Sequence, residues 1–362
     1  MRLIGIDQIN GDEVLGQALY DLDGRKLLNA GVTLKPAIVQ KLSDKGISSV
    51  YIDDEISEGI EVESLISEDT KTRAKLIIKE EMQRLSQKKE IDYSNVNGVV
   101  DSIMDDLLSK RLDILNVKDI RMQDEQTFAH SVNVSVMAIA LATRLSLPIS
   151  KVKSIAMGAL MHDIGKALLP QALVNKTDQL SLAEIDEIKK HPVLGYNIIK
   201  DNNEASATTK IAILMHHEHF NGGGYPFGLA NDKIHYSARI VTICDEFDRA
   251  INDKKNKSVL QTTDAVEYLI GASGHVFDKT MVDEFIRIIP VYDVGSIVLL
   301  SNGNFAIVVK NNEINLTRPV VRMFYNPKTR TKFSSSNIID LTEELSIKIL
   351  REIKSNINEM ML

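Results

Sequence analysis

His130, a His162-Asp163 doublet, His191, a His216-His217 doublet and Asp245 follow one another through the middle of the chain, and all are residue types that ligate metals. Five of the eight histidines fall between positions 130 and 217, although imidazole is uncommon in ordinary helical cores. Adjacent residues on a helix point about 100° apart, so neither doublet can hold one ion as an i, i+4 pair would. A doublet can instead divide between two ions, with the carboxylate bridging and each imidazole taking one. Seven donors suit two divalent cations. Such a pair outweighs the two carboxylates and leaves a site that attracts phosphate. Cations about 3.5–4 Å apart can hold a bridging hydroxide for in-line attack and polarise the phosphoryl oxygens, so the residues point to phosphodiester hydrolysis. Imidazole-rich ligation favours Fe or Mn over Mg, with Zn less suited to higher coordination. The plain alternative, unrelated histidines satisfied by hydrogen bonds or solvent, explains any one of them better than the ordered set.

Helices must position these side chains. Residues 121–289 read as an all-helical domain, with amphipathic segments at Phe128–Leu145, Ser150–His162, Leu182–Lys200, Thr208–His217 and Ser237–Ile251. Ahead of it, residues 61–120 form a helical lead-in, patterned from Ser67 to Leu115 around an unpatterned stretch at 86–97. Residues 1–60 read as a small α/β module: an Asp23-Gly24 turn, a helix from Pro36 to Lys45 closed by Gly46, and a strand at Ser49–Ile52. Residues 290–362 turn to β, with strands at Val294–Leu300, Phe305–Val309 and Val320–Tyr325, turns at Asn302-Gly303 and Asn326-Pro327, and a closing helix from Glu343 to Met361. The expected fold class is mainly α.

The 362 residues carry 44% hydrophobic side chains, 26% charged ones and a net charge of -7. That charge argues against a protein gripping long nucleic acid, which needs basic stripes that release counterions. No apolar run reaches about 18 residues and the N-terminus lacks a signal-peptide core, so no membrane association is expected and a cytoplasmic location is. The single cysteine, Cys244, excludes an internal disulfide and reads as a small core residue.

His162-Asp163-Ile164-Gly165-Lys166 resembles the HD doublet with its following GK. His216-His217-Glu218, followed by Asn221-Gly222-Gly223-Gly224-Tyr225-Pro226, resembles the HHE and GYP signature of the HD-GYP family. The resemblance runs from about residue 124 to 257. It implies an HD-type helical fold, a role in bacterial second-messenger signalling, and hydrolysis of cyclic di-GMP to linear pGpG or GMP. It also implies His130, His162, Asp163, His191, His216, His217 and Asp245 as metal ligands, with Asp163 and Lys166 as catalytic residues and Lys166 contacting substrate phosphate. Three consecutive glycines allow positive φ and close backbone approach, and Tyr225-Pro226 stiffens the exit, so this loop suits a pocket wall or a surface for a second copy of the chain or a signalling protein. Tyr225 is a candidate to stack on guanine.

Two departures matter. Some family members carry a glutamate one turn before the first histidine that helps hold a third metal, and this chain has Gln126. A neutral amide is a poor substitute for a charged ligand, so two metals are expected unless Asp124 or Glu125 approaches. The family's Arg-Pro-Tyr appears as Lys254-Lys255-Asn256, then Lys257. Positive charge survives at Lys254 and Lys257, the expected substrate contacts there, but the bidentate guanidinium does not. Another cyclic dinucleotide or nucleotide as substrate, and a cyclic di-GMP receptor without turnover, stay open.

Overall fold

The structure, a computed structural model, describes the chain apart from residues 21–24, 46, 48, 63, 110–114, 116–125, 177, 253–259, 314 and 354–362 and the side chains of residues 126 and 127. The Asp23-Gly24 turn, Gly46, Lys254 to Lys257, Asp124, Glu125 and the Gln126 side chain therefore lie outside the described residues. The chain divides into two compact units, one of residues 65–115 and 125–288, the other built from residues 1–64 and 289–362.

In the helical unit, Ser67 and Asp92 cap the helices Glu68–Ser86 and Tyr93–Leu108 by accepting from the backbone N–H groups of Thr70 and Asn95. Both pack against the site-bearing helices. The helix Gln126–Arg144 is buried on every side from Ser131 to Ala142, as its run of Val, Ala, Ser and Ile demands. It packs on the helices Ile149–Leu160 and Tyr236–Asn252. Gly158 lets Ile149–Leu160 approach Ala212 on the helix Ala207–Met215.

The expected continuous helix from Leu182 to Lys200 is two helices, Leu182–Ile188 and His191–Ile199. Pro192 sits in the first turn of the second, where its missing N–H costs nothing, and it disfavours continuation from the residues before it. The break places His191 at a helix start.

In the other unit, β1 (Arg2–Gly5), β2 (Val14–Leu15) and β5 (Ser49–Asp53) form one sheet in the order β1-β5-β2. β3 (Leu19–Tyr20) pairs with β4 (Lys26–Leu28). The helix Pro36–Asp44 and these strands enclose Ile4, Leu15, Leu34, Leu42, Val50 and Ile52. After Pro290, β6 (Ile297–Leu300), β7 (Phe305–Lys310), β8 (Val320–Asn326), β9 (Thr331–Lys332), β10 (Ile338–Asp340) and β11 (Ile349–Glu352) make an antiparallel sheet ordered β10-β8-β7-β6-β11, with β9 on β8. Residues from both ends of the chain meet here. Arg322 donates to the carbonyls of Ile56 and Glu58 at 2.6 and 2.8 Å, and Ile56 packs with Ile297, Phe305, Tyr325 and Ile353.

The expected helix from Glu343 to Met361 is not formed over its described residues: turns lead into β11, which pairs antiparallel with β6, Ile349 opposite Leu300 and Glu352 opposite Val298. Ile347 and Ile349 alternate toward the core of Val298, Leu300, Val308 and Val321, and β6 needs a partner for its outer backbone groups. A register shift between Ile349 and Arg351 accompanies the change that sets Ile353 among the residues of the other cluster. Among the described residues, no helix is long and apolar enough to cross a membrane.

Candidate metal centre

Five helices and one short 3-10 turn position the seven residues singled out by spacing. His130 comes from the buried Gln126–Arg144 helix and His162-Asp163 from the end of Ile149–Leu160, leading into the turn Ile164–Leu168. His191 starts its helix, His216-His217 ends Ala207–Met215, and Asp245 sits mid-way along Tyr236–Asn252. The structure brings all seven together in the helical unit. His162, His216 and Asp245 have no exposed surface, and Asp163, His191 and His217 are buried.

Gly165 explains how the turn gets close enough. A Cβ there would overlap the carbonyl oxygen of His191 and the backbone nitrogen of Gly195, so only glycine lets the Asp163 turn lie against the start of the His191 helix.

Three histidines are oriented by one device. Nδ1 of His162, His191 and His216 donates to the carbonyl three residues earlier, Ala159, Ile188 and Ile213, at 2.7, 2.7 and 2.8 Å. Carbonyl oxygens only accept, so each Nδ1 carries the proton and each Nε2 keeps a lone pair aimed into the cluster. Nε2 of His191 and of His216 face each other at 3.2 Å, so two lone pairs converge where a cation would relieve them. Nε2 of His162 and His217, Asp163 Oδ1 and Asp245 Oδ2 are enclosed without a hydrogen-bond partner, while Asp245 Oδ1 meets His130 Nε2 at 2.9 Å. Buried polar atoms are almost always paired, and this concentration of unpaired donors fits a cation-binding site. Ligand atoms within 4.8 Å of one another form the groups His130, His162, Asp245; His162, Asp163, His216; and His191, His216, His217. The donor set therefore fits divalent metal.

Charge differs across the cluster. Burial opposes protonation of His130, but Asp245 and Asp248 override it and raise the imidazole to about 9. Burial, reinforced by neighbouring imidazoles, pushes His216 and His217 well below the usual histidine range. Burial works against charge on Asp163 and Asp245 too, yet Lys166 and His162 beside the one and Arg249 and His130 beside the other hold both carboxyls well below the usual range.

Lys166 Nζ lies 2.5 Å from Asp163 Oδ2, with the side chain 19% exposed. Tyr225 stacks on His217, ring centroids 4.7 Å apart at 26°, and Lys189 lies 5.6 Å from the centre of the same ring. Gly222 takes φ of 83°, and a Cβ on Gly224 would overlap backbone atoms of His217 and His219, so the loop's glycines serve a positive φ at one position and close approach at another.

Sequence reasoning missed four side chains. Asp248 accepts from His130 Nδ1 at 2.7 Å and from Asn133 and Asn252 at 2.9 and 2.8 Å. Arg249 Nε lies 2.8 Å from Asp245 Oδ1. Their i+3 and i+4 spacing from Asp245 was the available signal. Glu218, named only as a motif letter, accepts from the backbone nitrogens of Phe227 and Leu229 at 2.7 and 2.9 Å and so ties down the glycine loop's exit. Glu246 joins His217 and Asp245 in a further group of potential ligands. His219, His235 and His275 are in none of these groups; Asn221 donates to His275 Nδ1 at 2.9 Å.

Residues 104–281 match the HD domain, and residues 297–359 match a KOW domain associated with HD domain. The chain is 31% identical over 251 residues to the cyclic di-GMP phosphodiesterase PA4108 of Pseudomonas aeruginosa, covering 69% of this chain and 60% of that one. It is 32% identical over 169 residues to the cyclic di-GMP phosphodiesterase response regulator RpfG of Xanthomonas campestris, covering 46% and 45%. The chain thus spans roughly half the length of these curated relatives. In fold it is similar to Bd1817, an HDG"Y"P protein from Bdellovibrio bacteriovorus, with a TM-score of 0.50 at 20% identity over 78% of this chain and 97% of that one. The converging imidazole and carboxylate donors, the helices that bring them together and the matched sequence lead to one assignment: residues 104–281 are an HD domain.

Proposed function

We propose that this chain is a metal-dependent phosphodiesterase that opens cyclic di-GMP to linear pGpG, GMP or both. The observation that carries the reading is the set of Nε2 and carboxylate atoms converging from seven residues of an HD domain, with enclosed, unpartnered atoms on His162, Asp163, His217 and Asp245 among them; the relatives' names supply the substrate. His130, His162, Asp163, His191, His216, His217 and Asp245 would hold two divalent cations, Fe or Mn. Bound cations would supply Lewis acidity toward the phosphoryl oxygens and lower the pKa of water.

The chain's own side chains do the rest. The three i−3 carbonyl contacts and Asp248 lock the imidazoles with Nε2 inward, so no rotamer search precedes ligation. Lys166 on Asp163 holds that carboxylate and turns an ammonium toward phosphate. Tyr225, stiffened by Pro226 and fixed through Glu218, offers a ring face to a base, and Lys254 and Lys257 add positive charge for the diester.

The test is turnover by chain purified without oxygen and loaded with Fe(II) or Mn(II), with products separated by chromatography. Appearance of pGpG or GMP is expected. Normal metal content without either product would overturn the reading.

A further inference from the structure

Arg249 lies one helical turn beyond Asp245 on the helix Tyr236–Asn252, so both side chains project from the same face. Its Nε is 2.8 Å from Asp245 Oδ1. A guanidinium has five N–H donors, and this contact engages one edge of the fork. Nη2 is enclosed and has no hydrogen-bond partner among the described residues, although the side chain as a whole is 32% exposed.

The other enclosed orphans of the centre, the Nε2 atoms and the carboxylate oxygens, are lone-pair donors that a cation satisfies. Arg249 Nη2 is the opposite: a charged N–H group that no metal ion can satisfy, because it has no lone pair to give. What it lacks is an acceptor, and a charged one repays the desolvation best. Lys166, the other cation on a site carboxylate, engages Asp163 directly. The carboxylate that Arg249 holds neighbours the glycine loop: Asp245 Oδ2 lies 3.7 Å from His217 Nδ1, and Tyr225 stacks on the His217 ring.

We propose that Arg249 binds a non-bridging phosphate oxygen of the substrate through Nη2 while Nε stays on Asp245. This rests on the phosphodiesterase reading for its ligand. The guanidinium keeps its charge at every working pH, so the contact adds affinity and orientation without moving a proton.

Full-length chain loaded with metal tests it, as wild type, Arg249→Ala and Arg249→Lys. Inorganic phosphate binding is measured by calorimetry, KM and kcat with cyclic di-GMP, and metal content by elemental analysis. Removing a charged hydrogen bond is expected to weaken phosphate and raise KM about 10–100-fold, with metal content unchanged. Arg249→Lys keeps the pairing charge without the fork and should leave phosphate binding weakened while restoring thermal stability. Phosphate affinity and KM within twofold of wild type in Arg249→Ala would overturn the proposal. So would loss of metal in step with loss of phosphate, which would confine Arg249 to holding Asp245. The phosphate arm separates the two claims: wild type that fails to cleave cyclic di-GMP, with phosphate weakened in Arg249→Ala, sinks the substrate and keeps the anion site.

Discussion

At one end of the donor cluster His130 lies between the carboxylates of Asp245 and Asp248, 2.9 and 2.7 Å away; at the other, His191 and His216 meet nitrogen to nitrogen. The first end is rich in negative charge and holds a proton. The second is rich in imidazole and uncharged, each ring protonated at Nδ1 and bare at Nε2. The candidate metal centre thus joins two kinds of donor group, and a cation entering the first would displace a proton that the second does not carry at Nε2.

The strongest way to break this comparison is to remove the carboxylate from each end. Asp245→Ala is expected to empty the His130 end first, and Asp163→Ala the His191–His216 end. Each loss of affinity should exceed the roughly 10–100-fold cost typical of an outer-shell partner. Elemental analysis of metal per chain checks both. Identical metal contents in the two variants would show that the ends do not load separately.

Gly165→Ala attacks the geometry that both halves share. Its Cβ meets backbone, which cannot swing aside, so a cost of about 1–3 kcal/mol in urea unfolding is expected, with metal uptake reduced at the His191 end. Unchanged stability would mean that the turn has another route past His191.

Asp248→Asn keeps the hydrogen-bonding shape and removes a charge. The expected result is about 10-fold weaker metal binding confined to the His130 end, together with a lower His130 pKa by NMR titration. Equal weakening at both ends would contradict the asymmetry.

The smallest effect is in pH. His130 titrates at about 9 in the metal-free fold, above its unfolded value of about 6.5. Its stabilising contribution to the metal-free chain is therefore complete below about pH 6.5 and lost as pH rises through about 9. Loading near pH 7 should release that proton, so metal affinity should climb as pH rises toward 9. Calorimetry in two buffers of different ionisation enthalpy reads the proton directly. Heats independent of buffer would refute it.

The cluster of candidate ligands was legible because metal chemistry restricts residue type and the doublets are short-range patterns. Their orienting contacts were half-legible: the i−3 carbonyl is always available at the end of a helix, but only the fold says that the ring turns to use it. Asp248 and Arg249 were hidden in plain sequence on the Asp245 helix, where charged residues usually face solvent. The break before His191 was signalled by Pro192, and the amphipathic pattern across it was read as continuous. Residues 1–60 and 290–362 carried no local sign of folding together, because the Arg322 contacts to Ile56 and Glu58 join positions with no shared periodicity. At the C-terminus, charged residues among the isoleucines imitated a helix, while the open side of β6 decided for a strand.

That last strand has a consequence for the chain in the test tube. β11 shields the hydrogen-bonding rim of β6, whose Val298 and Leu300 are wholly buried. Trimming the protein back to about residue 345 to tidy its tail would uncover that rim and recruit other chains by edge pairing. Preparations shortened there should clump before they lose their helices, with the cluster of histidines and aspartates still intact inside the aggregate.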